Sequence, residues 1–170
     1  MRYTSNRCLD HLEIERLVQK ARSCERRRAF QNMHSSFEDP CQCLLNAIEP
    51  SSYIPPHRHQ AANNSEFLFA VQGCLVVLIF DDVGVITESA ILSHGALPRA
   101  KFAVEITPDK WHSVVAVTTG SVLLEVKSGP FNPKAAKEIA PWCPAEGDVE
   151  AEKYSQFLRS EALVVASVDG

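Results

Sequence analysis

Residues 55–73 of the chain read PPHRHQAANNSEFLFAVQG, and this stretch contains two histidines separated by one residue. If the segment is a strand, His57 and His59 point to the same face, because side chains i and i+2 share a face. Glu66 follows after a polar loop, and His112 comes later in ITPDKWHSVVAV, between apolar runs. Three imidazoles and one carboxylate brought together inside a barrel form a ligand set for a divalent transition metal.

Residues 41–128 are a succession of short runs rich in Val, Ile, Leu and Phe, which favour strands. Turn-forming residues separate the runs, as at Gly73 and Gly120. The pattern predicts eight strands: CQCLLNAIE, SYIPPH, EFLFAVQ, CLVVLIF, VGVITESAIL, AKFAVEIT, HSVVAVTT and SVLLEVK. Strands in hairpin succession indicate an all-β jelly roll of two sheets, although the periodicity alone also fits other barrels and sandwiches.

The segment before the strands predicts a helix. Between Leu9 and Arg28 apolar residues recur at intervals of two to four among charged ones, which indicates an amphipathic helix with Asp10 as its N-cap. Its apolar face needs a partner, either the outside of the barrel or a second subunit. Residues 30–40 are interpreted as irregular. Because exposed strand edges also need cover, we expect a homodimer to which the helix or a strand contributes.

The C-terminal part changes character after Gly129, where PFNPKAAKEIAPWCPAEGD is expected to wrap the surface in extended form. Trp142 in this stretch either packs the tail onto a sheet, which we favour, or covers the barrel mouth. Residues 150–163 favour a short helix. We therefore divide the chain into three parts: a helical N-terminal extension (1–40), a barrel (41–130), and a C-terminal wrap and helix (131–170).

Composition limits the classes of function. The 170 residues are 45% hydrophobic, enough for one globular domain with appendages. A net charge of -4 argues against a nucleic-acid partner, since phosphate binding depends on clustered Lys and Arg. No apolar run reaches the length of a membrane span, and the N-terminus lacks the apolar core of a signal peptide. We expect a cytoplasmic protein, for which a disulfide framework is the less favoured interpretation of its six cysteines.

The ligand spacing resembles the two signature motifs of the cupin superfamily. The first motif has two histidines around one residue, then a glutamate, six residues and a glycine. Its matches in this chain, with a slightly longer loop before the glutamate, are His57, His59, Glu66 and Gly73. The second motif ends in a histidine after a proline-and-glycine turn. His112 matches that ligand, whereas Asp109 stands where glycine is usual.

Longer stretches resemble the WbuC family of cupin-fold metalloproteins, bacterial proteins often encoded among O-antigen polysaccharide genes. They lie within residues 30–148 and include NMHSSFEDPCQCLLNAIEPSSYIPPHRH, FLFAVQGCLVVLIFDDVGVITE and LEVKSGPFNPKAAKEIAPWCPAEGD. The resemblance implies a metal-binding jelly roll with a helical N-terminal extension. It also implies a small polar substrate, including sugar-derived ones, in surface polysaccharide metabolism. We consider a metal-dependent isomerase, epimerase or oxygenase, and alternatively a non-catalytic metal-dependent binding or regulatory protein.

The identity of the metal stays open at this point. Mixed nitrogen and oxygen ligands suit iron(II), manganese(II), nickel(II) or zinc(II). Four protein ligands leave positions for water or substrate, which permits Lewis-acid activation, or oxygen chemistry if iron is bound. Ligating imidazoles must be neutral and Glu66 ionised, so metal affinity should fall as the pH drops through the histidine range. In the alternative, the barrel keeps its histidines but holds an organic ligand or only water.

Other polar residues are weaker candidates for the site. His34, in the polar loop before the strands, is the candidate catalytic acid or base, with surface placement as an equal alternative. Asn46 could offer its amide to a sugar hydroxyl. Arg58 lies between two inward-facing ligands, so strand alternation directs it to the outer face. Lys101 and Glu105 share one strand face, and we favour a solvent-facing salt bridge between them.

Overall fold

The computed structural model describes residues 8–59, 65–95, 97–132 and 137–167. In these ranges it contains two helices and ten strands. In chain order they are α1 (His11–Ser23), β1 (Arg28–Asn32), β2 (Cys41–Ile48), β3 (His57–Arg58), β4 (Glu66–Gln72), β5 (Cys74–Phe80), β6 (Ile86–Ser93), β7 (Ala103–Ile106), β8 (Trp111–Ala116), β9 (Ser121–Ser128), β10 (Glu138–Ile139) and α2 (Ala151–Ser167). The N-terminal residues 1–7, and parts of the predicted ligand loop and C-terminal wrap, lie outside the described residues.

The strands form two five-stranded antiparallel sheets. Sheet A has the order β1-β2-β9-β4-β7, and sheet B has the order β10-β3-β8-β5-β6. Neighbouring strands in each sheet are often distant in sequence, as in the pairing of β2 with β9 over Cys41 to Ile48. This arrangement confirms the predicted all-β jelly-roll class, with one helix on each side of the strand region.

The core between the sheets is built from alternate positions of the facing strands. Sheet A contributes Leu68, Ala70 and Leu123, and sheet B contributes Leu75 and Val77. All five are buried. Because successive strand residues point to opposite faces, the intervening residues are directed to the outer faces of the two sheets.

Helix α1 covers the outer face of sheet A. Its buried residues include Leu17 and Ala21, which pack against Leu45 and Val122 of the sheet. Asp10 caps the helix by accepting a 2.9 Å hydrogen bond from the Glu13 backbone N–H, and the Glu13 carboxylate accepts from the Asp10 N–H. The structure thus confirms the predicted cap and gives the helix an intramolecular partner for its apolar face.

The segment after α1 differs from the sequence expectation. The helix ends at Ser23, five residues before the predicted end, because Cys24 already has an extended backbone (φ -81°, ψ 140°). Residues 30–40 are not wholly irregular, since Phe30 and Asn32 belong to β1 and pair with Asn46 and Leu44. This edge strand lacks a clear apolar alternation, so only its pairing with β2 defines it.

Helix α2 covers the outer face of sheet B. Leu158 and Ala162 of the helix pack with Leu78 and Val115. Trp142 also lies on this face, 5.3 Å from the Phe80 ring, so the tail packs onto the sheet as we favoured. Within the described part of the C-terminal wrap, Glu138 and Ile139 form a two-residue strand that the sequence analysis did not predict.

In the part of the chain that the structure describes, neither helix has the length and apolar character needed to cross a lipid bilayer. The thiols of the six cysteines are free, and Cys41 is exposed whereas Cys74 is buried.

Candidate metal centre

The four residues with predicted ligand spacing come together between the sheets, where β4 and β8 begin. One ligand-type atom from each residue lies within 4.8 Å of those of the other three, and the group consists of His57, His59, Glu66 and His112. The imidazoles of His57 and His112 are closest, with ring centroids 4.4 Å apart. His112 and Glu66 are only 1% and 2% exposed, whereas His57 is half-buried, so the group is reached by solvent on the side of His57.

Both sheets contribute to this group. His57 in β3 is the direct cross-strand partner of His112 in β8, so their side chains leave sheet B on the same face. His59 follows two residues after His57 and points the same way. Glu66, the first residue of β4, reaches the histidines from sheet A. The short strand β3 exists because it pairs with β8, and this pairing aligns two of the imidazoles.

Backbone carbonyls orient two of the imidazoles. His57 Nδ1 lies 2.9 Å from the Pro55 oxygen, and His112 Nδ1 lies 2.9 Å from the Lys110 oxygen. A carbonyl only accepts a hydrogen bond, so each Nδ1 carries a proton and donates it. The Nε2 atoms are then the ones that can offer a lone pair to a metal, and an acceptor behind each ring is the usual support for a ligating histidine.

The carboxylate of Glu66 lies against two imidazoles. His112 Nε2 lies 2.7 Å from Oε1, and His59 Nε2 lies 3.4 Å from Oε2. Oε2 is buried, and no described residue makes a hydrogen bond with it. A buried carboxylate oxygen with no hydrogen bond is costly unless a cation or water binds it. The chemistry of this donor set therefore fits a divalent metal ion.

Electrostatics also favours the protonation states that a metal needs. Burial lowers the pKa of His57 well below its ordinary value, and the neighbouring His112 acts in the same direction. Burial would raise the pKa of Glu66, but the adjacent His112 and His59 imidazoles outweigh burial and lower that pKa well below the usual range. A neutral imidazole and an ionised carboxylate are the forms that coordinate metal.

Two charged residues beside this group were missed by the sequence analysis. Glu125 and Lys127 lie on the inner face of β9, with Lys127 opposite Glu66 and Glu125 opposite Leu68. Lys127 Nζ donates to Glu125 Oε1 at 2.5 Å. A signal was present, because Leu123, Glu125 and Lys127 alternate along one strand and so share a face.

The structure does not place His34 in the ligand group. Its Nδ1 accepts a hydrogen bond from the Cys43 N–H at 3.1 Å, at the start of β2, and its Nε2 is buried with no hydrogen-bond partner among the described residues. Its Phe37 neighbour lies 5.8 Å away between ring centroids. A catalytic role for His34 stays a prediction.

The remaining candidates divide between the two faces. Asn46 is half-buried on the inner side of β2 and pairs with Leu123 of the core. Arg58 lies on the outer face, as predicted, with its guanidinium 4.2 Å from the centre of the Trp111 ring. Lys101 and Glu105 are both exposed to solvent.

The fold and the site can be compared with known proteins. A family model described as a domain of unknown function (DUF6016) matches residues 9–92. None of the curated proteins searched matches the chain. Protein SO0799 from Shewanella oneidensis is 12% identical, with 65% of this chain and 72% of that chain covered and a TM-score of 0.53.

Two further solved structures are similar. CapF, a capsular polysaccharide assembling protein from Staphylococcus aureus, is 16% identical, with 65% of this chain and 28% of that chain covered and a TM-score of 0.52. Oxalate oxidase is 15% identical, with 82% of this chain and 74% of that chain covered and a TM-score of 0.51. These are cupin-fold proteins, and at this identity the likeness shows the fold. The chain has a cupin-type fold with a residue group that could hold a metal ion.

Proposed function

We propose that this protein is a metal-binding cupin that acts on a small polar substrate, with the metal held by His57, His59, Glu66 and His112. The observation that carries the proposal is the convergence of the four ligand-type atoms within 4.8 Å of one another. Support comes from the buried Glu66 oxygen that lacks a hydrogen bond and from the carbonyl acceptors behind two imidazoles.

The roles of the chain's residues in such a site follow from their chemistry. The Pro55 and Lys110 carbonyls keep protons on Nδ1 of His57 and His112, so that the Nε2 atoms stay available as ligands. Glu66 supplies the negative charge that offsets part of the metal charge. A bound iron(II), manganese(II), nickel(II) or zinc(II) ion would supply Lewis acidity toward a carbonyl or hydroxyl group, or oxygen chemistry in the case of iron.

The substrate class is inferred from one polar side chain of β2 and from two resemblances. Asn46 presents a half-buried amide on the inner face of β2, where it could bind a hydroxyl group. The resemblance to the WbuC family and the fold shared with a capsular polysaccharide assembling protein favour a sugar-derived substrate. We extend the proposal to a role in surface polysaccharide metabolism and to a homodimeric protein. Non-catalytic ligand binding at the same metal is the alternative.

The first test is elemental analysis of protein purified without a metal-chelating tag. We expect near-stoichiometric iron, manganese, nickel or zinc in the unaltered protein and its loss in the His57→Ala/His112→Ala double variant. His94→Ala is the matched control, because His94 is an exposed residue after β6 and should not affect the metal content. Absence of metal from the unaltered protein, even after reconstitution, would refute the proposal.

A second experiment separates the enzyme from the binding protein. The metal-loaded protein is incubated with a panel of nucleotide sugars, and both binding and turnover are measured. Conversion that disappears in the double variant supports an enzyme. Binding without conversion across the panel favours the non-catalytic alternative.

A further inference from the structure

The pair formed by Glu125 and Lys127 faces the interior, although charged strand residues usually face solvent. The side chains of Glu125 and Lys127 are 17% and 14% exposed. Lys127 lies directly across from Glu66 in the β4–β9 ladder, which places the two Cβ atoms roughly 5 Å apart. The pair therefore belongs to the wall of the same space as the four ligand residues.

Packing does not require charges at these positions. The next inward position on the same strand is Leu123, a core residue that is 2% exposed. A buried ion pair loses hydration that its mutual attraction hardly repays, and apolar residues of similar volume often stabilise a fold equally well. The presence of two charges beside the ligand group therefore calls for a functional explanation.

Lys127 does not donate a hydrogen bond to the buried acceptor oxygens on the two neighbouring strands. In the row across sheet A, Lys127 lies between Gln42 of β2 and Glu66 of β4. Gln42 Oε1 and Glu66 Oε2 are both buried without a hydrogen-bond partner among the described residues, whereas the lysine bonds to Glu125 on its own strand. Glu125 thus holds the ammonium group in this row and leaves the Glu66 carboxylate available to a metal.

The charge balance then indicates what ligand the site prefers. A divalent metal and the Lys127 ammonium carry three positive charges, and the Glu66 and Glu125 carboxylates carry two negative ones. In a poorly hydrated space an excess positive charge attracts an anion strongly.

We propose that Lys127, positioned by Glu125, is an anion-binding residue of this site, and that the ligand is a small organic anion. One oxygen of this ligand would bind the metal, and its negatively charged group would pair with the Lys127 ammonium group. The inference rests on the proposed metal site and narrows its small polar substrate to an anionic one.

The test uses protein loaded with cobalt(II), whose visible spectrum reports both metal uptake and ligand binding. Malonate serves as the anionic probe, and imidazole serves as a neutral probe that binds only the metal. We expect Lys127→Met to weaken malonate binding at least about tenfold and to change imidazole binding less than about twofold. Lys127→Arg should restore most of the malonate affinity, because it restores the positive charge.

A second variant guards against misfolding. Lys127→Met alone leaves the Glu125 carboxylate buried and uncompensated, which could unfold the protein. Glu125→Gln/Lys127→Met removes both charges with little change of shape, and it should show weak malonate binding with normal cobalt uptake. Glu125→Gln alone should bind malonate at least as tightly as the unaltered protein, since a competing carboxylate is removed.

The outcomes distinguish this inference from the metal assignment. Failure of the unaltered protein to take up cobalt would overturn the metal site and this inference with it. Normal cobalt uptake with equal malonate affinity in the unaltered protein and the double variant would overturn the role of Lys127 alone. An equal loss of malonate and imidazole binding would also overturn it, because it would indicate a disturbed metal site.

Discussion

The space between the two sheets has an apolar end and a polar end, although the same strands line both. At the apolar end Leu75 and Leu92 are fully buried. At the polar end Glu66 and His112 are almost as deeply buried, at 2% and 1% exposure. Equal burial therefore coexists with opposite chemistry. The apolar end is stabilised by burial itself, whereas the polar end needs a cation to compensate its carboxylate.

The largest expected effect comes from changing the polar end. Glu66→Gln keeps the shape of the side chain but removes the charge, and we expect metal affinity to fall about a thousandfold, more than outer residues usually contribute. Competition with a coloured chelator measures the affinity, and unchanged affinity would refute the role of Glu66.

The reverse experiment changes the apolar end. Leu75→Ala removes a fully buried side chain from the core, and we expect the free energy of unfolding to fall by about 3 kcal/mol. Urea denaturation measures this change. Metal stoichiometry should stay the same, since Leu75 is outside the ligand group. Loss of metal at full folding would show that the two ends are not independent.

The partly exposed ion pairs of Glu146 show how much a carboxylate contributes to stability outside the space between the sheets. Burial would raise the pKa of Glu146, but hydrogen bonds from Arg26 and Arg28 outweigh it and lower the pKa to about 2. A lowered carboxyl pKa stabilises the folded state above the unfolded value, and this stability is lost as the pH falls toward 2. Because the pair is partly exposed, Glu146→Gln should cost only about 1–2 kcal/mol at pH 7.

The measurement for Glu146 is urea denaturation at pH 7 and at pH 3. The difference between Glu146→Gln and the unaltered protein should shrink at pH 3, because the unaltered protein has by then lost part of this contribution. If the two proteins differed in stability by the same amount at pH 7 and at pH 3, the stabilisation would not come from the ionised Glu146 carboxylate.

The smallest expected effect comes from the N-cap of α1, on the outer face of sheet A. Asp10→Ala removes the side-chain acceptor of the α1 capping box and should destabilise the protein by about 1 kcal/mol. Asp10→Asn is the matched control, since asparagine also caps helices well. Thermal unfolding measures both variants, and metal content should be unchanged. If Asp10→Ala also lowered the metal content, the result would mean that α1 supports the polar end through sheet A.

Much of the fold follows from patterns within short segments. Seven of the eight predicted strands have counterparts, because alternation along each segment reflects its inner and outer faces, whereas the predicted strand SYIPPH overlaps β3 only at His57. The strands β1 and β10 were not predicted. Each is defined by its neighbour in the sheet, β2 for Arg28–Asn32 and β3 for Glu138–Ile139, and local sequence does not contain that neighbour.

In the candidate site, too, some residues can be predicted from local sequence and others only from the neighbouring strands. The spacing of His57 and His59 predicts convergence, because strand periodicity directs both to one face. Glu125 and Lys127 have the same spacing, but charged residues in a strand are normally assigned to the solvent face. The register of β9 against β4, which sets Lys127 opposite Glu66 and Glu125 opposite Leu68, shows that this face is the inner one.

The ion pairs of Glu146 also bear on the order of folding. They join positions 118 and 120 residues apart, and the Tyr53 hydroxyl donates to the Pro144 carbonyl across 91 residues. Contacts that close such long loops repay their entropy only after the intervening strands have assembled. We expect Glu146→Gln to speed unfolding while leaving the folding rate nearly unchanged, which stopped-flow kinetics can measure. The segment that carries Arg26 and Arg28 and the segment that carries Glu146 should therefore dock late in folding. Deleting either segment should weaken the attachment of the other.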